Sequence, residues 1–326
     1  MNTPLNSSLS RRQFILGAAS GGLSAAALLA ESSGKATQGE TLVQQLYTSL
    51  SEPQKKEICF EFDHPLRSKV DNNWHITKAR VGSLLNKDQQ DLVKQIFDSL
   101  HSDEYRSEVM RQFREDSGKE GFEGASVALF GQPGSGKFEF VFTGRHCTRR
   151  CDGDSVEGAA FGGPIFYGHA SKSFNEGPSH EGNVYWFQAK RANEVFKALD
   201  GKQREAALLG TGREEDGTDT VKLSGKARGL SGIAVSQLAA DQKGLVRAVV
   251  ADLLKPFRKG DADEAMKMIE AGGFDNLHMA FYKNQDVGKD GVWDVWQLEG
   301  PNMVWYFRGD PHVHCWAHIR SPKSAV

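Results

Sequence analysis

Cysteine is scarce in this chain, and its spacing fits none of the usual frameworks. Four occur in 326 residues, at Cys59, Cys147, Cys151 and Cys315. Outside the cytoplasm such residues can pair, but four in a chain of this length make no disulfide scaffold. Cys147 and Cys151 have neither redox CxxC spacing nor the second pair of a zinc knuckle. Structural thiols are the expectation, with a local disulfide or a single metal ligand left open. Charge of one sign is lacking too: 40 Lys and Arg stand against 42 Asp and Glu. Such a balance leaves no electrostatic footprint for nucleic acid. Long apolar runs are missing as well. The longest, Ile15 to Ala30, is interrupted by Gly17, Gly21 and Gly22, and a membrane span needs roughly 20 strongly apolar residues.

That weak apolar stretch has another reading. Ser10-Arg11-Arg12-Gln13-Phe14-Ile15-Leu16 carries the paired arginines and following apolar pair of a twin-arginine signal peptide, an address read by a receptor. Residues 1–36 are expected to be that signal, with small-x-small cleavage sites at Gly34-Lys35-Ala36 or Ala25-Ala26-Ala27. The expected partner is the twin-arginine export machinery, and the expected location is periplasmic or secreted. The remaining residues, about 290, suffice for one large core or two smaller ones.

Two catalytic motifs fail on inspection. Gly131-Gln-Pro-Gly-Ser-Gly136-Lys137 fits a phosphate loop up to its lysine, but Phe138 stands where Ser or Thr must hold magnesium. The residues after it alternate as a strand does, whereas a phosphate loop must open a helix. No nucleotide is expected. There is also no GxSxG elbow, so serine-hydrolase chemistry lacks support.

One local pattern recurs four times: Leu, three residues, then Gln, at Leu50–Gln54, Leu85–Gln89, Leu199–Gln203 and Leu238–Gln242. In three copies Ser51, Asn86 or Asp200 sits three residues before the Gln, which predicts a capping box; the fourth has Ala239. A longer correspondence, Leu84–Gly144 with Leu238–Ile319, predicts helix, helix, then strands in each half. The predicted strands are Ala125–Phe130, Phe138–Phe142, Asn276–Tyr282, Val292–Leu298, Met303–Phe307 and His312–Ile319. The His146-Cys147 and His314-Cys315 dipeptides are read as ending the two halves. The predicted fold is α+β: helix pairs alternating with antiparallel strands, in a single unit over 37–326 with related halves near 40–210 and 232–320. Thr148–Gly182 reads as loop and Gly210–Gly232 as an exposed linker. Trp293, Trp296, Trp305 and Tyr306 are assigned to the core.

The last strand is the best candidate for chemistry. Alternate residues of a strand face one side, so His312, His314, Trp316 and His318 share one face. Val313, Cys315, Ala317 and Ile319 share the other, apolar one. An i, i+2 histidine pair spans about 6.6 Å and its rings can converge on one ion. His318, roughly 13 Å from His314 on the same arithmetic, cannot join them. A third ligand is sought among His146, His169 and Asp154. Imidazoles suit copper, zinc or iron. The competing reading is a non-catalytic module that holds a small-molecule ligand without metal. In either reading the candidate anion- or substrate-binding residues are Arg145, Arg149, Asp154 and His169, since arginines clamp carboxylates and phosphates bidentately.

Several of these features together resemble a family described as exported, bacterial and of unknown function (domain of unknown function 3500). The resemblance spans about residues 40–320. It rests on Phe60-Glu-Phe-Asp-His-Pro-Leu-Arg67, Trp74, Leu85–Gln89, Phe130-Gly-Gln-Pro133, Gly144-Arg-His146, Gly163-Pro-Ile-Phe-Tyr-Gly168, Glu299-Gly-Pro301 and His312-Val-His314. It implies secretion and a shared α+β fold, and no agreed activity. Members tend to carry Gly-His-His where this chain has Gly144-Arg145-His146, so a ligand role for the middle position does not transfer. His146, His312 and His314 match as they stand, and they are the expected metal set.

Overall fold

The computed structural model describes residues 38–322; the twin-arginine segment and its cleavage sites lie outside them. The chain opens with α1 (Gln38–Ser49) and α2 (Glu52–Ile58), which lead into the short strand β1 (Cys59–Phe60). Helices α3 (Lys87–Ser99) and α4 (Arg106–Ser117) follow. A meander comes next: β2 (Ser126–Gly131), β3 (Phe138–Gly144), β4 (Cys147–Cys151) and β5 (Ile165–His169). The same order then repeats. Helices α5 (Trp186–Ala198) and α6 (Gly201–Ala207) lead into β6 (Leu208–Leu209). After the short β7 (Ile233–Ala234) come α7 (Ala240–Leu254), α8 (Lys259–Ala271), and a second meander. Its strands are β8 (His278–Tyr282), β9 (Val295–Glu299), β10 (Met303–Arg308) and β11 (Val313–Ile319).

All of these strands join one sheet, ordered β1-β2-β3-β4-β5-β11-β10-β9-β8-β6, with β7 added beside β8. The order is a palindrome. β1 runs parallel to β2 as β6 does to β8, and antiparallel pairing of β5 with β11 joins the halves. The α+β architecture therefore stands, and the order helix, helix, strands occurs in both parts of the chain. The two His-Cys dipeptides are not equivalent, however: His146-Cys147 enters β4, whereas His314-Cys315 lies in β11, the counterpart of β5.

The repeated Leu-x-x-x-Gln element explains how each half is pinned. The Asn86 and Asp200 side chains accept from the backbone N–H of Gln89 and Gln203, 2.9 Å each, and those glutamines reach back to the cap N–H. Ser51 and Ala239 receive only the glutamine's half of the box. The amides then pair across helices. Gln54 and Gln89 exchange hydrogen bonds of 2.8 and 3.1 Å, and Gln203 and Gln242 do so at 2.9 and 2.7 Å.

The helices cover one face of the sheet, burying Phe140, Phe142, Tyr167, Trp296, Trp305, Val313, Cys315 and Ile319. Long connections cover the other. Val70, Val221 and Leu223 pack on Phe166, Val304, Tyr306 and Trp316, while Trp74 and Ile76 pack on Ala128, Phe130 and Val141. Two expected loops are corrected here. Thr148–Gly182 contains most of β4 and all of β5, whose burial on both faces removes the polar alternation that would announce a strand. Gly210–Gly232 is no simple exposed linker: it buries Thr220 and Val221 against the sheet. All four cysteines are unpaired thiols, and burial pushes Cys147 up to about 11 and Cys315 up to about 12. Trp296, Trp305 and Tyr306 fill the core as expected, and Trp293 is partly buried against it.

Candidate metal centre

At the centre of the sheet, β11 begins beside the end of β5, with Val313 opposite His169 and His314 opposite Gly168. The alternation along β11 puts Val313, Cys315, Ala317 and Ile319 in the helix-side core and Trp316 in the opposite cluster. His314 shares the Trp316 face, its ring edge-on to Phe166 at 5.2 Å. The third imidazole comes from the two-residue turn between β3 and β4, where Gly144 pairs with Cys147. His146 occupies that turn with φ +54°, a left-handed conformation that costs a non-glycine residue roughly 1–3 kcal/mol. Its N–H is held by the Asn72 carbonyl at 2.9 Å.

The three rings meet at their Nε2 atoms. His312 Nε2 lies 3.1 Å from His146 Nε2 and 3.1 Å from His314 Nε2, and all three residues are buried. The far nitrogen of each ring faces an acceptor. His312 Nδ1 donates to the Phe174 carbonyl at 2.8 Å, and His314 Nδ1 meets Glu215 Oε2 at 2.6 Å. His146 Nδ1 lies 3.2 Å from Asp116 Oδ1, though off the line of a good hydrogen bond. A carbonyl can only accept, so the His312 proton must be on Nδ1; the two carboxylates favour the same tautomer in the other rings. Three lone pairs then point at one small volume. Acceptors brought to 3.1 Å repel, and a cation among them reverses the sign.

The spacing suits an ion. Nitrogens bound at about 2.0–2.1 Å lie roughly 3.3 Å apart at tetrahedral angles and roughly 2.9 Å apart at right angles. The two separations from His312, 3.1 Å each, fall between these, and all three ligand atoms lie within 4.8 Å of one another. Electrostatics agree. Burial, then the neighbouring His146, pushes His312 down to about 4, and burial with Arg308 pushes His314 well below its ordinary value. Both rings are therefore neutral, as metal ligands must be. Burial opposes ionisation of Asp116, but His146 and His169 beside it hold its carboxyl below the usual range. Glu215 is pushed up by burial against the pull of Arg308, whose guanidinium lies 3.3 Å from Oε2.

The outer contacts are the part that sequence reasoning missed. Asp116 ends α4, where it also accepts from Gln112 Nε2 at 2.7 Å and from the Ala170 N–H at 3.0 Å. Glu215 comes from the segment expected to be a linker, and the Phe174 carbonyl from the segment expected to be featureless loop. A faint signal existed in Glu215: an acid in a Gly-rich connector that contains buried apolar residues.

The residues proposed for anion binding are not brought together. Arg149 is fully buried on the helix side, donating to His101 Nε2 at 3.0 Å and to the Phe166 carbonyl at 2.7 Å. Arg145 is exposed. Asp154 is exposed beside Asp261 and Glu264, whose carboxyls are raised by burial first and by Asp154 in addition, so an anion there meets like charge. His169 is buried; its Nδ1 accepts from the Val184 N–H at 3.1 Å, so Nε2 carries the proton given to Glu115 at 2.9 Å. Both His169 nitrogens are thereby engaged. His318 stands apart, its Nδ1 donating to the Val221 carbonyl at 3.2 Å. Among the described residues, His146, His312 and His314 are the one group placed to hold a metal ion, with their ligand atoms all within 4.8 Å of one another.

The fold and this cluster define an α+β protein with a buried tris-histidine cluster able to hold a metal. The chain belongs to the family described as protein of unknown function (DUF3500), whose model matches residues 33–324. No curated protein and no solved structure matches it.

Proposed function

We propose that this is an exported metal-binding protein whose centre is His146, His312 and His314. The observation that supports it best is the convergence of three imidazoles, with His312 Nε2 3.1 Å from the Nε2 of both His146 and His314, and with every Nδ1 turned outward to an acceptor. That pattern of imidazole ligands fixed by carboxylates and a peptide carbonyl is the usual outer shell of a metal-bound histidine. The ligands are borderline nitrogens with no thiolate or thioether among them, which favours a divalent ion such as zinc over monovalent copper. Three neutral imidazoles leave the ion's charge undiminished, the condition under which a bound water is acidified towards neutrality. Metal-activated water, and with it hydrolytic or hydration chemistry, is the activity that this centre suits. Export by the twin-arginine route is part of the same reading and is supported by Arg11-Arg12 and the apolar stretch that follows.

Cobalt(II) titration of metal-free protein tests the centre directly. The expected result is one equivalent of cobalt giving visible absorption bands, displaced by one equivalent of zinc and absent in His312→Ala. Cobalt that develops no bands, or bands unchanged in the variant, overturns the proposal. A fusion of residues 1–36 to a reporter tests the address: export should stop when Arg11 and Arg12 become lysines.

A further inference from the structure

The segment that gives His312 a carbonyl partner also puts an apolar ring over the centre. Among the described residues, Phe174 is the one large apolar side chain left mostly exposed, at 62%. A lone apolar side chain at a surface means little by itself. Position sets this one apart. Its ring meets that of His312 edge-on, with centroids 4.8 Å apart, while its carbonyl accepts from His312 Nδ1 at 2.8 Å. Nor is Phe174 a dangling tip. Glu176, its side chain only 2% exposed, ties the segment down on both sides of it. That carboxylate accepts from the Ser171 N–H and hydroxyl, from Asn183 Nδ2 at 3.0 Å and from His180 Nδ1 at 2.7 Å. The Glu176 N–H reaches the Pro311 carbonyl at 2.9 Å, one residue before His312. His180 is held at φ +44° and stacks on Trp186 with centroids 3.9 Å apart; such a conformation persists only where its surroundings over-determine it. The Phe174 ring is thus presented by a braced segment, which spares the ordering cost that a loose loop meets on binding.

We infer that Phe174 is a specificity-determining residue of the metal centre, and that the substrate carries an aromatic group beside the group that meets the ion. The inference rests on the metal-binding reading and adds the substrate class to it. One imidazole, that of His312, separates the Phe174 ring from the point where the Nε2 atoms converge. A small molecule bound to the ion can therefore lay a ring against Phe174 without leaving the metal. Aromatic pairs settle with centroids about 4.5–7 Å apart, stacked or edge-to-face, and gain from that geometry beyond the area they bury. An aliphatic group of the same size gains the burial alone. The exposed ring has one edge on His312 and the rest of its surface free for such a partner.

The test uses the full chain loaded with cobalt(II), whose visible bands report both the bound ion and any further ligand on it. Acetohydroxamate and benzohydroxamate are titrated in turn; they share a metal-binding group and differ in methyl against phenyl. In the wild type benzohydroxamate should bind about tenfold or more tighter. Phe174→Ala should lose that preference, while its cobalt bands before hydroxamate is added match those of the wild type. Phe174→Tyr, which keeps the ring, should keep the preference. Hydroxamates that leave the bands unchanged, no preference in the wild type, or a preference that survives in Phe174→Ala would overturn the inference and leave the metal centre standing. A chain that takes up no cobalt would overturn both.

Discussion

At the residue scale, the account turns on which nitrogen of each histidine carries the proton. Asp116 and Glu215 decide this for His146 and His314, so their neutral isosteres should weaken the centre without removing a ligand. Asp116→Asn and Glu215→Gln should each lower zinc affinity by about 10- to 100-fold, measured by competition with a chromophoric chelator. Affinities equal to wild type would show that these carboxylates do not orient the rings. His318 gives a pH prediction free of the metal. Burial pushes it down from 6.5 to about 4, so the unfolded chain takes up its proton first as pH falls. The stability tied to keeping it neutral is fully present above 6.5 and is lost as pH falls from 6.5 towards 4. In metal-free protein, His318→Gln should flatten the fall in unfolding free energy over that window. An unchanged slope would contradict the assignment.

At the scale of elements, the glutamine pairs are where the two halves reveal their common design. Gln89 both reaches back to its own cap and donates to the Ser49 carbonyl at 2.9 Å; Gln242 does the same towards Ala198 at 2.8 Å. Gln89→Ala or Gln242→Ala leaves a partly buried amide and a carbonyl without partners, a loss of about 1–3 kcal/mol by urea unfolding. Equal and negligible effects would make the repeat decorative. Between β3 and β4, Glu139 is fully buried against Arg150 at 2.6 Å and Arg67 at 3.1 Å. Glu139→Gln strands two cations beneath Phe130 and Val141's sheet face and should cost about 3–5 kcal/mol in the same measurement. The capped helices and the β11 alternation were legible because each is a local rule: a cap three residues before its glutamine, a period of two along a strand. Strands β4 and β5 were not. Cys147-Thr-Arg-Arg-Cys151 is buried throughout, its two arginines turned to opposite faces and each satisfied by partners far away in sequence. No local pattern encodes that.

At the scale of the whole molecule, the metal centre is assembled from five separated stretches: the end of α4, the β3–β4 turn, the Phe174 segment, Glu215 and the start of β11. The sequence pattern named two ligands because they sit two residues apart; it left the third among His146, His169 and Asp154, and the family resemblance selected His146. Neither could name their supports, which are fixed only when the β5–β11 pairing brings both halves into one sheet. That pairing also predicts shared cooperativity. With β5 and β11 in register from Val313–His169 to Ala317–Ile165, calorimetry should show one unfolding transition for residues 38–322; two separable transitions would mean that the halves fold alone. The central claim is nevertheless the centre itself, and elemental analysis of protein exported through its own signal tests it most directly, beside a His314→Ala variant. Near-stoichiometric zinc or another first-row divalent metal in the wild type, lost in the folded variant, is the predicted result. Metal absent from the wild type, or retained in full by the variant, would contradict it.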